Sequence, residues 1–353
     1  MHPLLIPVVM PMILAALMVG EYALGRVLGK PTHGRRQTLN NLAVTVVYKL
    51  YGMAFFAAPF FGYIAMQQRA GIFEWSMTNP LHWIAAWLVL DFTMYWRHRA
   101  AHRVAFLWAV HSVHHQSEEY NTTVAARASM FQDTILVVMP LAILGAPVSM
   151  AMTIFAFISF VTFFSHTELV GTLGWLDKVF VTPSVHRVHH GKNLPYLDTN
   201  YGGSLVIWDR LFGTYAEETE KVEYGTLDGL DSYDPLANNL SPWQKLIEKA
   251  RNAPTIGRGL LTFVMSPAWD PSIAKPVEPV AKRIPRPSRP RPMRFAVAWT
   301  LLAIGGFLQV ALAVSYDLPA LHVAVIAAIG LAALGVSGAV LDRGPAPWNR
   351  RTV

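Results

Sequence analysis

Residues 97–121 read RHRAAHRVAFLWAVHSVHHQSEEYN, and the histidine spacing in this stretch decides how the rest of the chain is read. His98 and His102 form an HxxxH, and His111, His114 and His115 form an HxxHH; a second HxxHH follows at His186, His189 and His190. Eight of the chain's 13 histidines therefore lie in three short clusters. Residues three or four apart share a helix face, so each cluster can aim two or three imidazoles at one point. Imidazoles that converge without thiolates suit iron, copper, zinc or nickel. The clusters read as one polynuclear metal site, with the rest of the chain as its support.

Composition says what that support is. The 353 residues are 53% hydrophobic and only 14% charged, with a mean hydropathy of +0.33. A soluble domain carries about 25% charged residues, so much of this chain is expected in lipid. The formal charge is +7 and the pI about 9.6. The basic runs lie beside apolar spans, where the positive-inside rule accounts for them better than nucleic-acid binding does. The absence of cysteine excludes disulfides, iron–sulfur clusters, thiolate-ligated haem and Cys-type zinc sites.

Working outward, Leu81–Trp96 is an apolar span that runs straight into His98, and Asp91 sits two turns earlier on the same face. Before it, Pro3–Leu28 reads as a retained span without signal-peptide character, and Asn41–Gln67 as a second span containing Pro59. After the first HxxHH, Gln132–Phe164 is broken by Pro140, Gly145 and Pro147 and is too short for two full crossings, so a tilted or re-entrant hairpin is expected. His166 marks its return and is taken as a ninth candidate ligand. A polar stretch follows to about Met293, ending in the basic, proline-rich Ala281–Arg294, an extended linker. Phe295–Val314 and Leu321–Leu341 read as a last pair of spans. The expected fold is an all-α integral membrane protein, a multi-span helical bundle whose cytosolic helical cap carries the His-rich dimetal site. Its expected divisions are N-terminal transmembrane helices at 1–70, a His-box catalytic core at 80–215, a cytosolic segment and linker at 216–293, and a C-terminal helix pair with tail at 294–353. Lys and Arg crowd the loops on the side of the three clusters, which puts the clusters on the cytoplasmic face, of the plasma or inner membrane if the chain is bacterial.

Two plainer readings compete. Interfacial histidines could simply solvate lipid headgroups, but imidazoles this dense would repel one another on protonation. A structural zinc site needs only about four ligands, far fewer than are present here. Acidic residues near the clusters (Asp91, Glu118, Glu119, Glu168 and Asp209) suit carboxylates that accept the outer ring N–H of a ligand, or equally loop salt bridges. A metal transporter or sensor is the non-enzymatic alternative. It would be expected to carry ionisable residues at mid-membrane depth, where these spans have almost none.

The motifs HRAAH at 98–102, HSVHH at 111–115 and HRVHH at 186–190, with spans between them, resemble the fatty acid hydroxylase/sterol desaturase superfamily of membrane di-iron enzymes. The likeness runs from about Arg35 to Thr214. HHQSEEYNTTVAAR at 114–127, SHTEL at 165–169, FVTPSVHRVHHGKN at 180–193 and DTNYGGSLVIWDRLFGT at 198–214 are similar to its alkylglycerol monooxygenase branch. The resemblance implies two iron ions, O2 as co-substrate, a lipid substrate, and either hydroxylation or desaturation. It also implies an electron donor, tetrahydrobiopterin or a separate redox protein. By matched position it makes His98, His102, His111, His114, His115, His166, His186, His189 and His190 iron ligands. Glu118 and Glu168 become supporting acids, and Asn121 and Asn200 hydrogen-bond donors behind the ligands. Some superfamily members place a further histidine four residues after the one matching His166; here that position is Val170.

Overall fold

The computed structural model describes residues 5–55, 57–132, 136–230 and 232–273. The C-terminal pair of spans, and the linker before it, lie outside the described residues. Within them the protein is helical: α1 (Leu5–Val27), α2 (Arg35–Phe55), α3 (Ala57–Ala70), α4 (Pro80–Arg103), α5 (Ala105–His115), α6 (Thr122–Ala126), α7 (Met139–Ile143), α8 (Val148–Ser165), α9 (Pro183–His189), α10 (Ile207–Leu211), α11 (Pro235–Arg251) and α12 (Ile256–Leu261). The only sheet-like pairings among the described residues are two isolated antiparallel bridges, Phe180 with Leu205 and Gly191 with Tyr224.

The frame is the pair α4 and α8. Asn79 starts α4 by accepting the Leu81 N–H on its side chain, and Pro80 occupies the first turn, where a missing N–H costs nothing. At 24 residues, α4 is about 36 Å long. Val104 adopts an extended conformation and ends α4, and α5 leaves from that corner. One side of α4 (Ala86, Leu90) packs on α7 and α8 through Leu141, Ala142, Met150, Ala151, Ile154 and Ile158. Its other side exposes Leu81, Ile84, Leu88 and Phe92 at helical spacing. Contiguous apolar surface of this kind marks contact with something other than water. Among the described residues one helix, α8, is apolar and long enough to cross a bilayer by length and composition.

The expected second span, Asn41–Gln67, is helical on both sides of residue 56, as α2 and α3. The expected hairpin at 132–164 has unequal arms: short α7, a turn, then α8. Gly145 makes that turn possible. Its φ is +90°, and a Cβ there would stand 2.3 Å from the Phe73 carbonyl oxygen.

α5 and α10 pack against α4, α6 and α9 against α8, and α11 against α5. Two buried acids fasten the 200–214 loop within this assembly. Asp91 of α4 accepts from the Ser204 N–H (2.7 Å), the Ser204 hydroxyl (2.6 Å) and the Trp208 indole N–H (2.9 Å). Asp209 accepts from the N–H groups of Tyr201 (2.7 Å) and Gly202 (2.8 Å) and from the Thr214 hydroxyl. Together they fix the 200–214 loop against α4. Replacing Asp91 by Ala strands three buried donors, so a loss of about 3 kcal/mol is expected, with a smaller loss for Asp91→Asn. Thermal unfolding of the purified variants measures it; equal midpoints for Asp91→Ala and wild type would contradict the fastening role.

Candidate metal centre

Each histidine cluster sits where helix geometry can aim it. His98 and His102 face one way from the last turns of α4, and His111, His114 and His115 end α5. His166 is the residue after α8, and α9 carries His186 and His189 with His190 at its end. Thr182 starts α9 by accepting the Val185 N–H, with Pro183 in the first turn. Arg187, on the same helix, donates to the carbonyls of Thr167 and Val170 and pairs with Glu218 at 2.7 Å, which ties α9 to the segment bearing His166.

All nine histidines converge, in two sets. His98, His102, His111, His115 and His189 form one; His114, His166, His186 and His190 form the other, and within each set the ring nitrogens lie within 4.8 Å of one another. The split follows helix pitch. The i,i+4 pair of the first HxxHH (His111, His115) joins the five-member set while its third histidine, His114, joins the four-member set. In the second HxxHH the allocation reverses: His186 and His190 join the four-member set and His189 the five-member set. The sets touch where His115 stacks on His190, ring centroids 4.4 Å apart.

Backbone carbonyls decide which nitrogen of several rings is bare. A carbonyl oxygen only accepts, so the ring nitrogen beside it must carry hydrogen. Nδ1 of His98 meets the Tyr201 carbonyl (3.0 Å), His114 that of Arg127 (2.9 Å), His166 that of Thr162 (2.6 Å) and His189 that of Thr199 (2.9 Å). Their Nε2 atoms therefore present lone pairs inward. His114 Nε2 and His166 Nε2 face each other at 3.3 Å with both tautomers fixed in this way. Further Nε2 pairs are His98 with His111 (3.0 Å), His111 with His115 (3.2 Å), His115 with His189 (3.2 Å) and His166 with His186 (3.2 Å). Two nitrogens bound at about 2.1 Å to one ion, at right-angled to tetrahedral bond angles, stand about 3.0–3.4 Å apart. His102 Nε2 and His190 Nε2 are buried without a hydrogen-bond partner. The bare His114–His166 pair repels unless a cation lies between the two nitrogens, and the spacing of the other pairs matches nitrogens that share an ion, so the donor set fits two metal ions.

Protonation gives no alternative relief. Burial holds all nine imidazoles below the ordinary histidine range, and for most of them the neighbouring imidazoles push further the same way. Burial brings His114 down to about 4 and His189 to about 3, each against a carbonyl hydrogen bond that acts in the opposite direction. At neutral pH the rings are neutral, which is the state that binds metal.

The other residues singled out in the sequence stand behind this centre and do not touch its histidines. Glu168 accepts from the Tyr224 hydroxyl at 2.8 Å, and Glu118 lies against Gly225. Asn121 accepts the Thr123 N–H to start α6 and donates to the Thr32 carbonyl. Asn200, at a φ of 55°, donates to the carbonyls of Val185 and Ala216 and accepts from the Ala216 N–H. Glu119 takes the Gly34 N–H. Asp91 and Asp209 act on the ligands through the loop they fasten. The acid that does approach a candidate ligand is Asp198, 3.8 Å from His102 Nδ1 and 2.7 Å from the Arg103 guanidinium. The Thr199 and Tyr201 carbonyls thus orient two of the five-member set from one short segment, with Asp198 beside a third. Its trace in the sequence is the DTNY run, where Asp198 and Asn200 both adopt positive φ.

Residues 83–214 match the fatty acid hydroxylase family model. Among curated proteins, the chain is similar to the alkylglycerol monooxygenase of Homo sapiens, 37% identical over 210 residues, covering 59% of this chain and 47% of that protein. The alkylglycerol monooxygenase of Xenopus tropicalis is 35% identical over 250 residues, covering 70% and 55%. An ornithine lipid hydroxylase of Rhizobium tropici is 35% identical over 146 residues, covering 40% and 43%. The chain spans about half the length of the curated relatives it matches. No solved structure matches.

The depressed histidines make metal-free stability depend on pH. Between the folded values and the unfolded value of about 6.5, the unfolded chain binds more protons, so stability rises with pH there and is lost as pH falls. The unfolding midpoint of metal-free protein is expected to be level above about pH 7 and to drop steadily from pH 6.5 to pH 4. A midpoint flat across that window would contradict the burial of neutral imidazoles.

Proposed function

We propose that this chain, which carries a fatty acid hydroxylase domain at residues 83–214, is a multi-pass membrane monooxygenase that uses O2 and a non-haem pair of irons to hydroxylate a C–H bond of a lipid. The observation that carries the reading is the convergence of nine buried imidazoles in two adjoining sets, five and four, four of them held by carbonyls with Nε2 bare. Zinc would not use such a site, since it is redox-inert and satisfied by about four ligands. Nitrogen-only ligation in a buried pocket suits iron that must change oxidation state. The lipid substrate is supported by the relatives, whose names specify an alkylglycerol and an ornithine lipid.

Bound, the two irons would supply the electrons that cleave O2, so that one oxygen atom enters the substrate and the other leaves as water with two protons and two electrons from an external donor. The chain's own residues do the rest. The carbonyls of Arg127, Thr162, Thr199 and Tyr201 hold each imidazole in the tautomer that binds. Burial keeps the rings unprotonated and excludes water from the reacting centre. The exposed apolar stripe of α4 and the apolar length of α8 support a bilayer setting in which a lipid chain reaches the histidines from the membrane side. The distribution of Lys and Arg supports a cytoplasmic location for the centre, where a reduced pterin or a redox protein can deliver electrons.

Protein grown with iron is expected to hold one iron per histidine set. His189→Ala and His114→Ala are expected to abolish turnover while leaving membrane insertion intact. Comparing lipids from cells with and without the gene, by mass spectrometry under air, should show a species gaining one oxygen atom only when the gene is present. Loss of two hydrogens instead would identify a desaturase. Zinc in place of iron, or no lipid change under air, would overturn the assignment.

A further inference from the structure

Arg127 is the largest fully buried side chain among the described residues, and no carboxylate pairs with it there. Its five N–H groups are all used. Nε donates to the Val113 carbonyl (2.6 Å), one terminal nitrogen to Asn40 Oδ1 (2.6 Å) and Asn41 Oδ1 (3.1 Å), and the other to Gln116 Oε1 (2.7 Å) and Asn238 Oδ1 (3.1 Å). Every acceptor is neutral. Val113 and Gln116 flank the histidines that end α5, Asn40 and Asn41 belong to α2, and Asn238 to α11. The carbonyl of Arg127 itself takes the His114 Nδ1–H.

A buried cation without a counter-charge costs several kcal/mol even when fully hydrogen-bonded, and amide or apolar side chains can join three helices without that cost. The charge itself therefore needs a reason. Burial pulls the guanidinium down to about 9, which still leaves it charged at neutral pH. The histidine sets contain no carboxylate, so nothing inside them cancels the field of this cation.

We propose that Arg127 is a positioning residue that also sets the reduction potential of the four-histidine side of the centre: its carbonyl fixes His114, and its uncancelled charge favours the lower oxidation state of a metal bound there. This rests on the di-iron reading above. A positive charge at fixed distance in a dry region disfavours removal of an electron from a nearby ion, whereas the same charge in water would be screened. The arrangement favours the reduced state of a nitrogen-ligated centre.

Two variants separate the charge from the clamp. Asn41→Asp places a carboxylate on the guanidinium and neutralises it. The Asn41 Nδ2 partners are the hydroxyls of Ser117 and Thr123, which now donate to the Glu119 carbonyl and Asn121 Oδ1 and would have to give up those bonds to donate to the new oxygen. Arg127→Lys keeps the charge and loses two of the five donors. Iron content and midpoint potential are measured on the full-length protein in detergent. Both variants are expected to load iron as wild type does; Asn41→Asp is expected to shift the midpoint to more negative potential, and Arg127→Lys to stay near wild type. An Asn41→Asp midpoint equal to wild type at full iron content would overturn the proposal and leave Arg127 as a clamp alone. If Asn41→Asp does not load iron, Arg127→Gln replaces it in the same measurement, with the same negative shift expected and an unchanged midpoint again counting against the charge. Failure of the wild-type protein to bind iron would instead sink the di-iron reading.

Discussion

Lone-pair repulsion is the constraint on which the arrangement depends. His114 and His166 each have Nδ1 occupied by a carbonyl and Nε2 turned toward the other at 3.3 Å. A protein gains nothing from such a pair in isolation, since each nitrogen loses a water and neither acquires a donor. The pair is a standing electrostatic cost that a cation between the two nitrogens would relieve. The packing around it serves to keep that cost in place: α4 and α5 share one corner, α9 is capped by Thr182, and Arg187 ties it to the end of α8.

The supporting hydrogen bonds are mostly backbone, and they come from loops. One segment, Asp198–Tyr201, faces three histidines, while two separate carbonyls serve the other set. Loops can hold such positions only if they are themselves fixed. Asp91 and Asp209 do this for the 200–214 loop by accepting N–H and hydroxyl groups that would otherwise be buried unpaired. These two carboxylates thus stay one layer away from the centre; Asp198 comes nearer, on the five-member side, where Arg103 pairs with it.

Helical class, the positions of α1 and α4, and the nine histidines could all be read from the chain, because spacing on a helix is a strong periodic signal. The allocation of His114 and His189 to opposite sets could not, since it depends on how α5 and α9 meet in space. Nor could the carbonyl partners be anticipated: a backbone oxygen leaves no residue-type signature. Glu118 and Glu168, expected as supporting acids, lie toward Gly225 and Tyr224, and Tyr224 stacks on Tyr120, whose ring stacks on His166. Asp198 was missed. It reaches His102 from nearly a hundred residues away, through a turn with left-handed backbone.

Because each HxxHH gives a pair to one set and a single ring to the other, neither short helix belongs to one ion alone. Seating a cation in either set would brace both α5 and α9, and so would pre-arrange half the donors awaiting its neighbour. Assembly of the centre would then be mutually reinforcing, with singly loaded molecules scarce at intermediate metal supply. Fraying of one helix end would release both ions together, like a woven joint that opens at every strand once a single one is drawn.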